Sequence, residues 1–365
     1  MFDLKRTRLG GLIVAVIVAG ACESSTGPTL LDDFDAEAAL ADYQAVDAIL
    51  ASNGWAGFEA LGARAPFVAL GASSTGAMVM LGSAARLASK GDPETFAVEL
   101  ARAAASMDVP AAAPIISEGN RGKTFIYDPS VMDYVADPSR TEAPSNGVRF
   151  ILYEESNGQP DPEREIGHAD LIDEGSGSIE DIALRLIVVR EGLEILDYRT
   201  SLDGIGDNQV RITVGGFLQN NVDRLDFEIQ VEGTEGEDLN SIDVRFSMGI
   251  DSRDFSIEGA VLGTEGAEQT GSIDISVRHG DESLRVDLAR SEGTLEGTIL
   301  LNGEVFATAS GDADSPTFTS SDGDALTTFE VGVLIQVVGV VVEVMGLFEG
   351  LVGPVAGLVM LGIVL

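Results

Sequence analysis

Strict alternation of apolar and polar side chains is the feature that most narrows what this chain can fold into. Leu225, Phe227, Ile229 and Val231 share one parity, and Asp226, Glu228 and Gln230 share the other. The pattern returns with Ile242, Val244, Phe246, Met248 and Ile250 against Asp243, Arg245 and Ser247. It recurs at Phe255, Ile257 and Val261, at Ile273, Ile275 and Val277, and at Leu284, Val286 and Leu288. A strand turns successive side chains to opposite faces, so period two with one charged set predicts antiparallel strands covered on one side only. Glu232-Gly233, Gly263 to Gly266, His279-Gly280-Asp281, Glu292-Gly293 and Asn302-Gly303 read as turns between the runs, the last a strong hairpin signal. Strands follow one another without intervening helices, roughly a dozen over residues 121–320, which predicts one up-and-down meander. Residues 136–146 and 156–165 are richer in proline and charge and read as longer loops.

A sheet with one apolar face needs cover, and two flanking zones offer it. Residues 32–110 are Ala-rich and read as helices. Asp32-Asp33 can cap a first helix carrying Leu40, Tyr43, Val46 and Leu50 on one side, and Asn53-Gly54 ends it. Residues 326–365 form an almost wholly apolar segment, interrupted beyond Val331 only by Gln336, Glu343 and Glu349. A helix apolar nearly all round is buried in protein or in lipid. Glycine recurs every seven residues at Gly332, Gly339, Gly346 and Gly353, and Pro354 should kink the segment. The expected fold class is α+β: a long antiparallel β-meander, curved into a half-barrel or barrel, covered by the apolar C-terminal helix and the Ala-rich N-terminal helices. In architecture alone this plan resembles bacterial lipoprotein carriers of the LolA/LolB kind, in which helices lid a curved sheet around an apolar cavity. No motif carries that resemblance residue by residue, and fold analogy is weak warrant for function. Two alternatives compete. An outer-membrane barrel would show similar alternation, but aromatics are only 6%, few for two interfacial girdles. A transmembrane C-terminal helix would place Glu343 or Glu349 near mid-bilayer, at about 2.5–3.5 kcal/mol each.

The amino terminus speaks to location. Lys5, Arg6 and Arg8 precede an apolar run from Leu9 to Ala21, which is too short to span a bilayer and suits a signal peptide. The run ends in Val18-Ala19-Gly20-Ala21-Cys22. Small residues before a cysteine resemble the lipobox of bacterial lipoprotein precursors, although Ala19 stands where that pattern favours leucine. The resemblance implies cleavage after residue 21, lipidation of Cys22 and a flexible tether over residues 22–31. Cys22 is the sole cysteine, so the body folds without a disulfide.

Charge excludes several partners. The chain carries a net −38, and residues 1–21 hold a net +2, so the mature chain is near −40. Nucleic acid is excluded as a partner, and adhesion to anionic head groups must come from the lipid rather than from charge.

Catalytic signatures are absent from the sequence. Gly71-Ala-Ser-Ser-Thr-Gly76 has the wrong spacing for a nucleophile elbow, and Asp203-Gly-Ile-Gly-Asp207 lacks the third glycine of a dinucleotide fingerprint. The expectation is therefore no catalytic residue, no cofactor and no metal. Three weaker sites compete with bland readings. His168 and Asp170 share a strand face and could share a metal or a proton, or form a satisfied surface pair. His279 reads as a solvated turn residue. Asp203, Asp207 and Asn208, and separately Asp312, Asp314, Asp322 and Asp324, gather oxygen ligands of the kind calcium accepts, without EF-hand spacing. Glu343 would need a partner if buried among Val340, Val344 and Leu347. The functional expectation is a lipid-anchored cell-envelope protein, non-enzymatic and structural or interacting. The alternative is a body that binds an apolar ligand such as a lipid between sheet and helices.

Overall fold

The computed structural model describes residues 36–50, 116–156, 159–175, 181–206, 209–234, 240–265, 270–312 and 315–324, with single positions from 326 to 337. Helix α1 (Ala36–Leu50) is followed by β1 (Lys123–Asp128), β2 (Asp133–Ala136), β3 (Gly147–Ser156), β4 (Gln159–Asp173) and β5 (Asp181–Arg190). Next come β6 (Leu193–Gly206), β7 (Gln209–Gln219), β8 (Arg224–Thr234), β9 (Asn240–Ile250) and β10 (Phe255–Glu265). The last five are β11 (Thr270–His279), β12 (Glu282–Ser291), β13 (Thr294–Leu301), β14 (Glu304–Asp312) and β15 (Ser315–Ser320).

All fifteen strands join one sheet, and from β3 to β15 each pairs with its neighbours in sequence. The expected meander is therefore present, and it is longer than a dozen strands. It is also not antiparallel throughout: β1 lies between β2 and β3 and runs parallel to β3, with Phe125 opposite Phe150. Residues 137–146 make the crossover that this order requires, as a loop, in keeping with their composition. No described ladder joins β15 to β2, so the sheet is open. Of the expected helical cover, α1 is the one α-helix whose full extent is described.

Several expected turns prove to be strand. Glu232-Gly233 lies inside β8, and Gly263 to Glu265 lie inside β10. Residues 159–165 are the first half of β4 rather than a loop, despite Pro160 and Pro162. Proline is tolerated there because that half pairs with β3 alone; pairing to β5 begins only at Gly167. Other turns fall where the dipeptides place them. Glu292-Gly293 and Asn302-Gly303 both carry two positive φ angles, as does Glu191-Gly192. Two consecutive positive φ angles match the twist of a right-handed hairpin.

The alternation maps onto one continuous core. Phe150, Leu171, Leu186, Val214, Ile229, Ile275 and Ile299 are each fully buried and belong to one cluster running the width of the sheet. Ala45, Val46 and Ile49 of α1 join that cluster, and so do Leu334 and Val337. The last two are helical, as are residues 330–332. Thr327 and Glu330 start that helix with reciprocal bonds: the Thr327 N–H donates to Glu330 Oε2 at 2.7 Å and the Glu330 N–H to Thr327 Oγ1 at 3.3 Å. Hence the beginning of the apolar tail packs on the sheet. No described helix is long and apolar enough to cross a membrane. The rest of the tail, with Gln336, Glu343 and Glu349, lies outside the described residues, as do residues 51–115 of the Ala-rich zone.

The two ends of the sheet differ. The turns after β1, β5, β7, β9, β11 and β13 share one end, here termed the turn end. The opposite end holds the Glu292-Gly293 turn after β12 and the connections after β4, β6, β8, β10 and β14, whose segments 176–180, 207–208, 235–239, 266–269 and 313–314 lie outside the described residues. In sequence those five segments contain Glu180, Asp207, Glu235, Glu237, Asp238, Glu268 and Asp314 and no lysine or arginine.

Candidate functional site

A buried polar cluster lies at the turn end, where α1 meets the sheet. On α1 the buried positions are Asp42, Ala45, Val46 and Ile49, one stripe at helical spacing. Of the expected stripe, Val46 is buried; nothing is described for the side chains of Leu40, Tyr43 and Leu50. Asp42 places a carboxylate among apolar neighbours, which is costly unless the charge is paired. Two basic side chains meet it. His279, at the end of β11, brings Nδ1 to 2.6 Å from Asp42 Oδ2, and Arg253 Nη1 donates to Oδ1 at 3.2 Å. Arg253 occupies a 3-10 turn (Asp251–Arg253) that ends at Asp254 in the left-handed region, and its side chain also holds Asp223. Its Nε and Nη2 donate to the two carboxylate oxygens of Asp223 at 3.1 and 2.9 Å. The Asn220 side chain, accepting from the N–H groups of Val222 and Asp223 at 2.8 Å each, shapes the turn that presents Asp223. The Arg253 guanidinium holds the Asp223 carboxyl below the usual carboxylate range. Four side chains thus latch α1 to three neighbouring turns.

His279 is therefore not a merely solvated turn residue, as its sequence context suggested. Its glycine neighbour marks a turn, but the partner is remote in sequence, on α1. The sequence does carry a signal for that partner: Asp42 is the acid on the apolar stripe of its own helix.

His168 and Asp170 do come close on the opposite face of the sheet, at 3.9 Å between Nε2 and Oδ2, too far for a hydrogen bond. Asp170 is engaged elsewhere. Arg149 donates to both of its oxygens at 2.7 Å from the adjacent strand. Burial, then the nearby Arg149 charge, pushes His168 below its ordinary range. The cluster thus pairs its acid with a guanidinium and disfavours protonation of its imidazole. The same face repeats the motif: Arg185 grips Asp197 through two bonds of 2.8 and 2.6 Å, and Arg285 grips Asp274 likewise.

Of the second calcium candidate, the described members are not brought together. Asp312 ends β14 at the acidic end, whereas Asp322 and Asp324 follow β15 at the turn end. The six residues of β15 separate them by roughly 20 Å. Asp203 lies in β6, opposite Asp181 and Arg211, while Asp207, Asn208 and Asp314 lie outside the described residues. Among the described residues no group of three or more His, Cys, Asp or Glu could hold a metal. Cys22 and Glu343 also lie outside the described residues.

Compared with known proteins, the chain matches no family model, no curated protein and no solved structure.

Proposed function

We propose that this chain is a cell-envelope protein, lipid-anchored through Cys22, whose body is a structural or interaction module rather than an enzyme. The observation that supports the reading is how the described sheet spends its side chains. One face is a single apolar core, and Arg149, Arg185 and Arg285 on the other face are engaged by neighbouring carboxylates. What the body offers a partner is then an acidic outer surface and its two ends. In this reading residues 51–110 and the tail beyond Val337 complete the cover of a curved sheet, and the envelope is reached through the membrane and through proteins that meet the acidic surface. Mass spectrometry of the amino-terminal peptide from membranes tests the anchor: an acylated Cys22 is expected, and a free thiol behind an intact signal sequence would overturn it. Cross-linking in whole cells tests the interaction: a discrete envelope adduct is expected, and none would remove the reading.

One observation favours a second reading, the binding of an apolar ligand. Thr200 lies on the core face of β6, opposite Leu184 and Val214, and its buried hydroxyl has no partner among the described residues. An orphaned hydroxyl in an apolar interior could meet the polar head of a lipid. Organic extraction of the purified protein decides: a stoichiometric lipid supports this reading, and a lipid-free extract removes it.

A further inference from the structure

Three stretches of strand in this sheet have no ladder partner on one side: β2, β15 and the first half of β4. An unpaired strand edge presents a row of N–H and C=O groups to which another extended chain can add. The bonds around each stretch show what its edge has to offer. On β15, Ala307 lies opposite Ser320, and the N–H of Ser321 donates to the Phe306 carbonyl at 2.9 Å. In an antiparallel ladder that pattern turns the backbone groups of Pro316, Phe318 and Ser320 away from β14, toward the open side. Pro316 has no N–H to give. The Ser320 N–H donates to the Asp324 carbonyl at 2.7 Å, and the Ser320 carbonyl accepts from the Gly323 N–H at 2.9 Å. Phe318 is thus left as the outward donor of β15.

The other two edges lose donors by other residues. On β2, Ala136 lies opposite Phe125 and the Asp137 N–H donates to the Thr124 carbonyl at 2.9 Å, so Tyr134 and Ala136 face outward. The Tyr134 N–H is held by the preceding carboxylate, Asp133 Oδ1, at 2.8 Å, and the strand is only four residues long. On β4, residues 159–165 pair with β3 alone. Pro160 and Pro162 bring no N–H to that stretch, and the Glu163 N–H donates to Asp161 Oδ1 at 3.1 Å. Each edge therefore loses donors to proline or to the chain's own oxygens.

We propose that Pro316, the Ser320–Asp324 turn, Asp133, Pro160, Asp161 and Pro162 are edge guards. They withhold donors at the three edges, so that neither a second copy of this chain nor an extended segment of a partner joins the sheet by strand pairing. An added strand draws on alternating N–H and C=O groups along its whole length, and a single outward donor on β15 cannot hold it. The sheet is thereby open yet closed to extension. Other molecules meet it through its faces and through the turns at its two ends, not through its lateral strands.

Giving a donor back tests the guards. Pro316→Val returns an N–H beside that of Phe318 on the open side, and it places a strand-favouring residue where no ladder bond to β14 is needed. The full chain is purified in detergent. Its mass is read by light scattering with the detergent subtracted, and amide hydrogen exchange is followed at Phe318. The unsubstituted chain should exchange the Phe318 amide fast. Pro316→Val should pass from one copy to two or more as its concentration rises, with the Phe318 amide slowed in the assembly. Pro160→Val with Pro162→Val should assemble likewise through β4. A folded Pro316→Val chain that stays a single copy over the same range would overturn the proposal. So would a protected Phe318 amide in the unsubstituted chain, single or associated, because the edge would then be in use. An unsubstituted chain that associates while Phe318 still exchanges fast supports the guards, since its contact lies elsewhere. If Pro316→Val fails to fold, exchange at Phe318 in the unsubstituted chain still decides.

Discussion

The two flanks of the sheet solve the same problem differently. From β8 to β12 the strands are long hairpins in unbroken register, apolar on one face and charged on the other. From β1 to β5 the register slips at Leu152, Tyr153 and Val188, the β1–β3 pair is parallel, and residues are buried on both faces. Thr124, Ile151 and Asp170 are buried next to Phe125, Phe150 and Leu171, which point the other way. The first flank is local and modular. The second depends on the crossover of residues 137–146, whose Arg140 reaches Glu165 on β4 through two bonds of 3.1 and 2.8 Å. Its core is aromatic: Phe125 stacks on Phe150 at 5.3 Å, and Tyr134 meets the Phe150 ring edge-on at 5.8 Å. Non-local pairing sacrifices chain entropy before any contact compensates, so this flank leans on large side chains and buried ion pairs.

The sharpest test of that contrast is Phe150→Ala, which removes the ring shared by both aromatic contacts and should lower stability by about 3–5 kcal/mol. Urea denaturation followed by near-ultraviolet circular dichroism would read it, and a loss below that of Ile275→Ala on the hairpin flank would break the comparison. Next comes the ion pair. Asp170→Ala strands the half-buried Arg149 guanidinium and should cost about 3 kcal/mol. Arg245→Ala, which frees Asp243 on the exposed face of the hairpin flank, should leave the denaturation midpoint unchanged. Equal effects would show that both flanks treat charge alike. The smallest effect is on pH dependence. The fold holds His168 below its ordinary range, so the folded state takes up that proton less readily than the unfolded chain. Its contribution is whole above the ordinary histidine range and is lost as pH falls through that range toward the depressed folded value. His168→Gln should therefore shrink the drop in Tm between about pH 7.5 and pH 5.5, as scanning calorimetry would show. An unchanged drop would mean that burial of His168 is not felt.

The same contrast explains what the sequence disclosed. Leu225 to Val231 and Ile242 to Ile250 alternate because one face meets the core and the other meets water, and they became β8 and β9. The β1–β5 flank hides its strands because burial on both faces erases the alternation. Glu232-Gly233 misled because a turn-forming dipeptide acts only where both φ angles become positive, and the ladder to β7 and β9 keeps those residues extended. The latch was half legible. His279 stood beside a visible turn, but its pairing with Asp42 spans 237 residues, and no local pattern encodes so long a contact. The Thr327-x-x-Glu330 cap is legible as a capping-box signature, beside the stronger signal of the apolar run that follows it.

Sequential pairing from β3 onward has a consequence for how such a molecule can change over generations. In the sheet each interior hairpin pairs only with the strands on either side, as links do in a watch strap, and the latch adds a tie to α1 at three turns. Removing β13 with β14 would bring β12 against β15, still antiparallel, with both ends of the sheet preserved. The width of the molecule can thus be retailored two strands at a time, while the aromatic flank and the latch near its centre set where the strap must close on its helix. The fixed parts are few: a crossover and a buried carboxylate.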